Sequence, residues 1–218
     1  MKYLKLIAIL AALSAVLPSA NATIINGSVT SGGGTFIKLF PGFTDSTPDN
    51  TVGDNNFQNL NLYGFDEDQN TEVLNTPLSV DLLASTGTSG TLATGTIVAS
   101  HYIFFDPYNF ITQVGWVDFD SDVIAIISST ANLNASDYLA NTGVTYLEPT
   151  LRGLEGGDHV TIDAGNARRI NVDWTASSPG DYVRILTSYS PGAAIPEPGT
   201  LALLAIGLAG IGYKRRKN

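Results

Sequence analysis

An all-β fold, an antiparallel sandwich or jelly roll, is predicted by three features of this 218-residue sequence. Turn-forming residues recur in clusters such as Gly32-Gly33-Gly34, Thr47-Pro48-Asp49-Asn50 and Ser85-Thr86-Gly87-Thr88-Ser89-Gly90. Short β-branched and aromatic runs lie between the clusters, and several of them alternate apolar with polar residues. Many short strands of this kind bury their apolar faces only by stacking one sheet on another.

In chain order, strands are predicted at 35–40, 57–65, 78–83, 94–105, 111–119, 123–128, 159–163, 169–175 and 182–188. Within 169–175, Ile170, Val172 and Trp174 share one face and Arg169, Asn171, Asp173 and Thr175 the other, which places Trp174 in the core. Within 111–119, Gly115, Val117 and Phe119 face one way while Val114, Trp116, Asp118 and Asp120 face the other, so Trp116 is expected at the surface. One short helix is predicted at 135–141, capped by Asn134 or Ser136. The Gly/Ser/Thr-rich piece 85–96 reads as a long hairpin loop, and Ser177-Ser178-Pro179-Gly180-Asp181 as a tight turn. No repeat of fixed period is visible.

The two ends differ from the body. Lys2 and Lys5 precede an apolar run over 6–17, and the small residues Ala20 and Ala22 fit a peptidase that cuts after Ala22. Residues 1–22 are therefore predicted to be a signal peptide removed by signal peptidase, leaving a body of 23–195 that starts at Thr23 and forms one domain. In that body five cations, Lys38, Arg152, Arg168, Arg169 and Arg184, face 19 carboxylates, a net charge of −14. Such a charge repels nucleic acid and anionic membrane surfaces, so membrane contact is expected only through the tail. Cysteine is absent, which excludes disulfides, thiolate metal sites and thiol catalysis.

The tail, 196–218, opens with Pro196-Glu197-Pro198, continues as an apolar stretch to Tyr213, and closes with Lys214, Arg215, Arg216 and Lys217. The prolines hold the segment before the helix extended and present Glu197. The stretch 199–213 is predicted to be a short transmembrane helix; at a helical rise it covers about 22 Å, less than a hydrocarbon core of about 30 Å. The basic cluster stops the chain at the cytoplasmic side and leaves the body outside the inner membrane. In these residues the chain resembles the PEP-CTERM proteins of Gram-negative bacteria. The resemblance implies that an exosortase recognises and processes the tail, with delivery to the cell envelope, cell surface or extracellular matrix. A second resemblance, over 115–190, is to the β-rich body of many such substrates, including Val-Asp-Phe-Asp-Ser-Asp-Val at 117–123, Leu-Asn-Ala-Ser-Asp-Tyr-Leu at 133–139, Gly-Leu-Glu-Gly-Gly-Asp at 153–158 and Ala-Ser-Ser-Pro-Gly-Asp-Tyr at 176–182. That body implies no particular activity.

Enzyme signatures are missing: there is no Gly-x-Ser-x-Gly elbow, phosphate loop, His-Glu-x-x-His or dinucleotide fingerprint. His101 alternates with Ile103 and Phe105 and reads as a half-buried packing residue, and His159 as a solvated turn residue. Asp118, Asp120 and Asp122 are the candidates for calcium. Residues two apart on a strand are separated by about 6.6 Å, however, so the three reach about 2.4 Å from one ion only if the strand breaks at Ser121 or loops contribute. No resident cofactor is predicted, and Asp66-Glu67-Asp68 reads likewise as a solvated acidic turn. Trp116 beside Asp118 and Asp120 is the candidate for an extracellular polysaccharide, since sugar rings stack on indoles and carboxylates accept hydroxyl hydrogen bonds. Thr86, Thr88, Thr91, Thr94 and Thr96 are spaced too irregularly for an ice-binding face. The expectation is a non-enzymatic, structural or adhesive exported protein, with a carbohydrate-binding module as the alternative and a glycan-active enzyme or ice-binding protein behind it.

Overall fold

The computed structural model describes residues 23–40, 50–53, 57–68 and 72–188, all within one compact unit, Asn21–Gly192. The signal peptide at 1–22 and the tail at 196–218 lie outside the described residues. Among the described residues no helix is long and apolar enough to cross a membrane.

Fifteen strands are described, numbered here in chain order, and most fall into two sheets. The four-stranded sheet is antiparallel, in the order β1 (Ile24–Ser31), β10 (Ile111–Phe119), β14 (Arg169–Ala176), β13 (His159–Ile162). The seven-stranded sheet runs β2 (Phe36–Lys38), β4 (Leu62–Asp66), β9 (Ile97–Phe105), β15 (Asp181–Thr187), β11 (Val123–Ile127), β7 (Leu82–Leu83), with β5 (Glu72–Val73) paired to the start of β9. Its β2–β4 pair is parallel and the others are antiparallel. Two small pairings flank the sheets: β6 (Leu78–Val80) with β8 (Gly90–Leu92), and β3 (Thr51–Val52) with β12 (Thr145–Tyr146).

Inward residues of both sheets share one core. Ile24, Val117, Phe119, Ile170, Val172 and Trp174 come from the four-stranded sheet, and Leu62, Ile103, Phe105, Ile126, Val183 and Ile185 from the seven-stranded one. The outward face of the seven-stranded sheet is covered too: Tyr63, Phe65, Tyr102, Phe104, Tyr182 and Leu186 pack in one cluster with Phe57, Leu74, Val80, Leu133, Leu139 and Val144 from outside the sheet. Burial on two sides explains why every residue of β15 is buried, and all but the first of β9, without an alternating pattern. The four-stranded sheet meets solvent on one side, and β10 and β14 keep the expected alternation, Trp174 lying in the core.

Three expectations are corrected. The segment 24–31, where no strand was predicted, is β1; Asn26-Gly27-Ser28 are turn formers by propensity, but Gly27 is required because a Cβ there would run into the Phe36 ring. The region 85–96 is not all loop, since 90–92 form β8. The helix is not at 135–141: α1 (Thr130–Ala135) starts five residues earlier with Ser129 as its cap, followed by a 3-10 turn, Asp137–Leu139. A distant residue sets that start. Asp81 accepts from the backbone N–H groups of Ser128 (2.7 Å) and Ser129 (2.8 Å), from the Ser129 hydroxyl (2.8 Å) and from Asn132 Nδ2 (2.7 Å).

The largest correction concerns Asp66 and Glu67, which are buried and ion-paired rather than solvated. Glu67 accepts two hydrogen bonds from Arg184, at 2.6 and 2.9 Å, and one each from Ser100 and Tyr146, both at 2.6 Å. Arg184 also donates to the Ser136 hydroxyl (2.6 Å) and the Leu133 carbonyl (3.1 Å) at the end of α1. Burial acts to lower the Arg184 pKa, but the charge and hydrogen bonds of Glu67 outweigh it and hold the guanidinium above its ordinary value.

On the inner face, Asp66 lies 2.8 Å from His101 Nδ1 and 2.8 Å from Lys38 Nζ, and His101 Nε2 lies 3.0 Å from Thr187 Oγ1. His101 is thus fully buried in a polar relay, not half-buried packing. Desolvation raises the Asp66 pKa, but the hydrogen bonds and charges of His101 and Lys38 overcome it and hold the carboxyl far below the usual range.

Arg184→Met leaves Glu67 buried without its counter-charge and is expected to cost about 3–5 kcal/mol. Glu67→Leu alone should cost a similar amount, while the double variant should recover most of the loss. Urea denaturation of the three variants checks this; equal, additive losses would show that the pair is not coupled.

Candidate functional site

The outer face of the four-stranded sheet holds the residues singled out for sugar and calcium. Trp116 on β10 is half-buried, and the Arg169 guanidinium of β14 lies over its ring, 4.0 Å from the centroid. Asp118 holds Arg169 in a two-point pairing at 2.6 and 2.8 Å. Asp120 accepts from the backbone N–H of Thr23 at 3.0 Å, and Asp122 from Arg168 at 3.2 Å. Trp116 and Asp118 are therefore brought together through Arg169, while the three carboxylates point to three different partners. Among the described residues no three acidic or imidazole side chains are placed to hold one metal ion. A sugar stacking on the Arg169 side of Trp116 must displace the guanidinium. The threonines fix local turns: Thr88 and Thr86 hydroxyls pair at 3.1 Å, and Thr96 donates to the Ala93 carbonyl at 2.8 Å. His159 is exposed at the start of β13, as expected.

A different site was not foreseen. At one end of the sheets, the turn entering β15 and the loop 147–158 enclose a cleft of about 230 Å³, lined by Phe110, Leu151, Glu155, Ser177, Pro179 and Asp181 among others. The turn closes through a hydrogen bond from Gly180 N to the Ser177 carbonyl at 2.6 Å. Gly180 has φ of 90°, and a Cβ there would strike the Phe105 carbonyl, so only glycine lets the chain swing back into β15 this closely. On the facing loop, Asp158 accepts from Thr175 N at 2.7 Å and from Glu155 N at 3.2 Å, which ties the loop to β14 and sets Glu155 at the cleft.

Asp181 is the residue out of balance. It is only 3% exposed, lines the cleft, and its Oδ2 has no hydrogen-bond partner. Burial, then the negative charges of Asp158 and Glu155, push its pKa up to about 8, so the carboxyl holds a proton at neutral pH. Phe110 (75% exposed) and Leu151 (55%) form an apolar rim. Pro-Gly-Asp is a turn signal in sequence, and nothing local tells that its aspartate will be buried beside two other acids.

An acidic all-β body joined to an apolar, base-tipped tail is the architecture of an exported protein sorted through its C-terminus. Comparison with known families gives the particular signal: residues 194–217 match the PEP-CTERM protein-sorting motif. The motif marks an exported protein that is first anchored in the membrane and then processed by exosortase. No curated protein and no solved structure matches the chain.

Two outcomes are expected here. Asp181→Asn removes a buried acid that has no donor, and because the folded pKa is raised, native Asp181 costs stability progressively as pH rises from about 4 to about 8. The variant should therefore match the native protein at pH 4 and exceed it at pH 8 in urea denaturation. A gain independent of pH would mean that Asp181 is ionised throughout. For the outer face, Trp116→Ala should abolish retention on a polysaccharide column if sugar stacks there; unchanged retention removes Trp116 as a sugar platform.

Proposed function

We propose that the body is a non-enzymatic structural or adhesive module of the envelope or extracellular matrix, delivered by cleavage after Ala22 and released from a temporary anchor at 199–213. The sorting motif at 194–217 carries this reading. Within it, Pro196-Glu197-Pro198 is the segment that exosortase recognises, the stretch 199–213 is the anchor, and Lys214, Arg215, Arg216 and Lys217 stop it at the cytoplasmic face.

Cleavage after Ala22 is supported by the start of the fold. Thr23 already belongs to it: its backbone N–H meets Asp120 and its hydroxyl meets Asp66 at 2.8 Å, while Ile24 N donates to Asp66 at 3.0 Å. A new amino terminus at Thr23 would place a positive charge beside two carboxylates. The lack of affinity for nucleic acid or anionic lipid expected from a charge of −14 is supported by the pairing of all five cations of the body: Lys38 with Asp66, Arg152 with Asp137, Arg168 with Asp122, Arg169 with Asp118 and Arg184 with Glu67.

Mass spectrometry of the protein recovered from the cell surface tests the reading. The mature chain is expected to begin at Thr23 and to lack Lys214 to Asn218. Glu197→Ala should leave a membrane-bound form that retains the basic end, and deletion of 201–218 should release an unprocessed body. An intact basic end on the surface-located protein would make the tail a permanent anchor and overturn the processing step.

A further inference from the structure

We propose that the polar groups around Thr23 form a socket for the α-ammonium that cleavage after Ala22 creates, so that the body reaches its full stability only once the signal peptide is gone. The inference rests on the cleavage proposed above and adds what the cut does to the fold.

The first observation is how completely the start of the body is held. The first residues of a domain fray unless something ties them down. Here the Thr23 N–H donates to Asp120 Oδ1 at 3.0 Å, and the Asp120 N–H returns to the Thr23 carbonyl at 3.0 Å, which carries the pairing of β1 with β10 one step beyond Ile24 and Phe119. The Thr23 hydroxyl donates to Asp66 Oδ2 at 2.8 Å and accepts from Lys38 Nζ. Ile24 N–H donates to Asp66 Oδ1 at 3.0 Å, and the Ile24 carbonyl accepts from Lys38 Nζ at 2.8 Å. Partners from three other parts of the chain thus converge on two residues.

The second is charge. Two carboxylates, Asp120 and Asp66, and one ammonium, Lys38, surround Thr23. Lys38 lies 2.8 Å from Asp66 Oδ2, and His101 lies 2.8 Å from the other oxygen of the same carboxylate. A peptide N–H at Thr23 adds no charge to this group. Hydrolysis of the Ala22–Thr23 bond leaves a carboxylate on Ala22 and an amine on Thr23, and an α-amine with an ordinary pKa of about 8 is protonated at neutral pH. The nitrogen that already meets Asp120 then carries a positive charge, and a charge-assisted hydrogen bond is roughly twice as strong as a neutral one.

The third is burial. Ile24 is only 2% exposed, and Thr23 and Asp120 are half-buried, so the new pair is shielded from the screening that makes fully exposed ion pairs weak. Position matters as well. An amine two residues upstream stands about 6.6 Å farther along extended backbone and leaves only an amide opposite Asp120. The cut that frees the body therefore also fixes β1 against β10 and, through Asp66, against the end of β4.

The exported, processed protein is to be compared with a variant carrying Gly-Ser inserted between Ala22 and Thr23, so that the same peptidase leaves the amine two residues upstream; mass spectrometry verifies the start of each chain. The extended chain should unfold at a Tm at least about 3 °C lower. Asp120→Asn keeps an acceptor oxygen opposite Thr23 and removes the charge, so it should lower the Tm by about the same amount in the native chain and by less than about 1 °C in the extended one. Equal Tm values for the native and extended chains would overturn the inference, and so would an Asp120→Asn loss of the same size in both. If the insertion blocks export, Asp120→Asn in the native chain decides alone: a loss of about 3 °C supports the socket, and an unchanged Tm overturns it. A native start other than Thr23 would refute the cleavage reading and this inference with it, whereas a start at Thr23 with equal Tm values refutes this inference only.

Discussion

The pairing of Arg184 with Glu67 is the interaction on which the arrangement of the body turns. Arg184 sits in the middle of a strand buried on both sides, with no route to water for its guanidinium. Its five N–H groups must be met by fixed partners, and those partners come from separate parts of the chain: Glu67 after β4, the carbonyl of Leu133 and the hydroxyl of Ser136 at the end of α1. A buried ion pair contributes little net stability over a well-packed apolar pair, but breaking one half of it is costly. Its effect is to specify. Only the placement of α1 and of the segment after β4 that the structure shows satisfies Arg184 and Glu67 together.

The inner face of the same sheet carries a second polar cluster, in which Asp66 joins Lys38, His101 and the first residues of β1, and His101 reaches Thr187. Adjacent acids, Asp66 and Glu67, thus serve opposite faces of one sheet, as side chains one residue apart along extended backbone do. With no cysteine in the chain, these two clusters tie together segments far apart in sequence where another exported domain would use disulfides.

Asp181 marks the contrast. It opens the strand that carries Arg184, is as buried as Asp66, and yet lies near Asp158 and Glu155 where Asp66 meets Lys38 and His101. Its carboxyl is held neutral by burial and by the neighbouring charges of Asp158 and Glu155, not by a partner of opposite charge. The body's net negative charge favours encounters with cationic groups over anionic ones.

The sequence by itself determined the fold class, the faces of β10 and β14, the turn before β15, and the sorting tail. Each is local: period-two alternation, proline and glycine chemistry, and a contiguous motif are legible without knowing what the rest of the chain does. Where a sheet is covered on both sides the alternation disappears, and the same logic made Asp66 and Glu67 look like a solvated turn, because their partners Lys38, His101 and Arg184 lie dozens of residues away. Trp116 read correctly as outward-facing, but the Arg169 that caps it comes from the neighbouring strand, and the register of that pairing is set by tertiary contacts. The start of α1 depended on Asp81 for the same reason. Only the tertiary structure decided which acids are buried and paired, and where the cleft lies, since those outcomes depend on distances between residues that the chain brings together after folding.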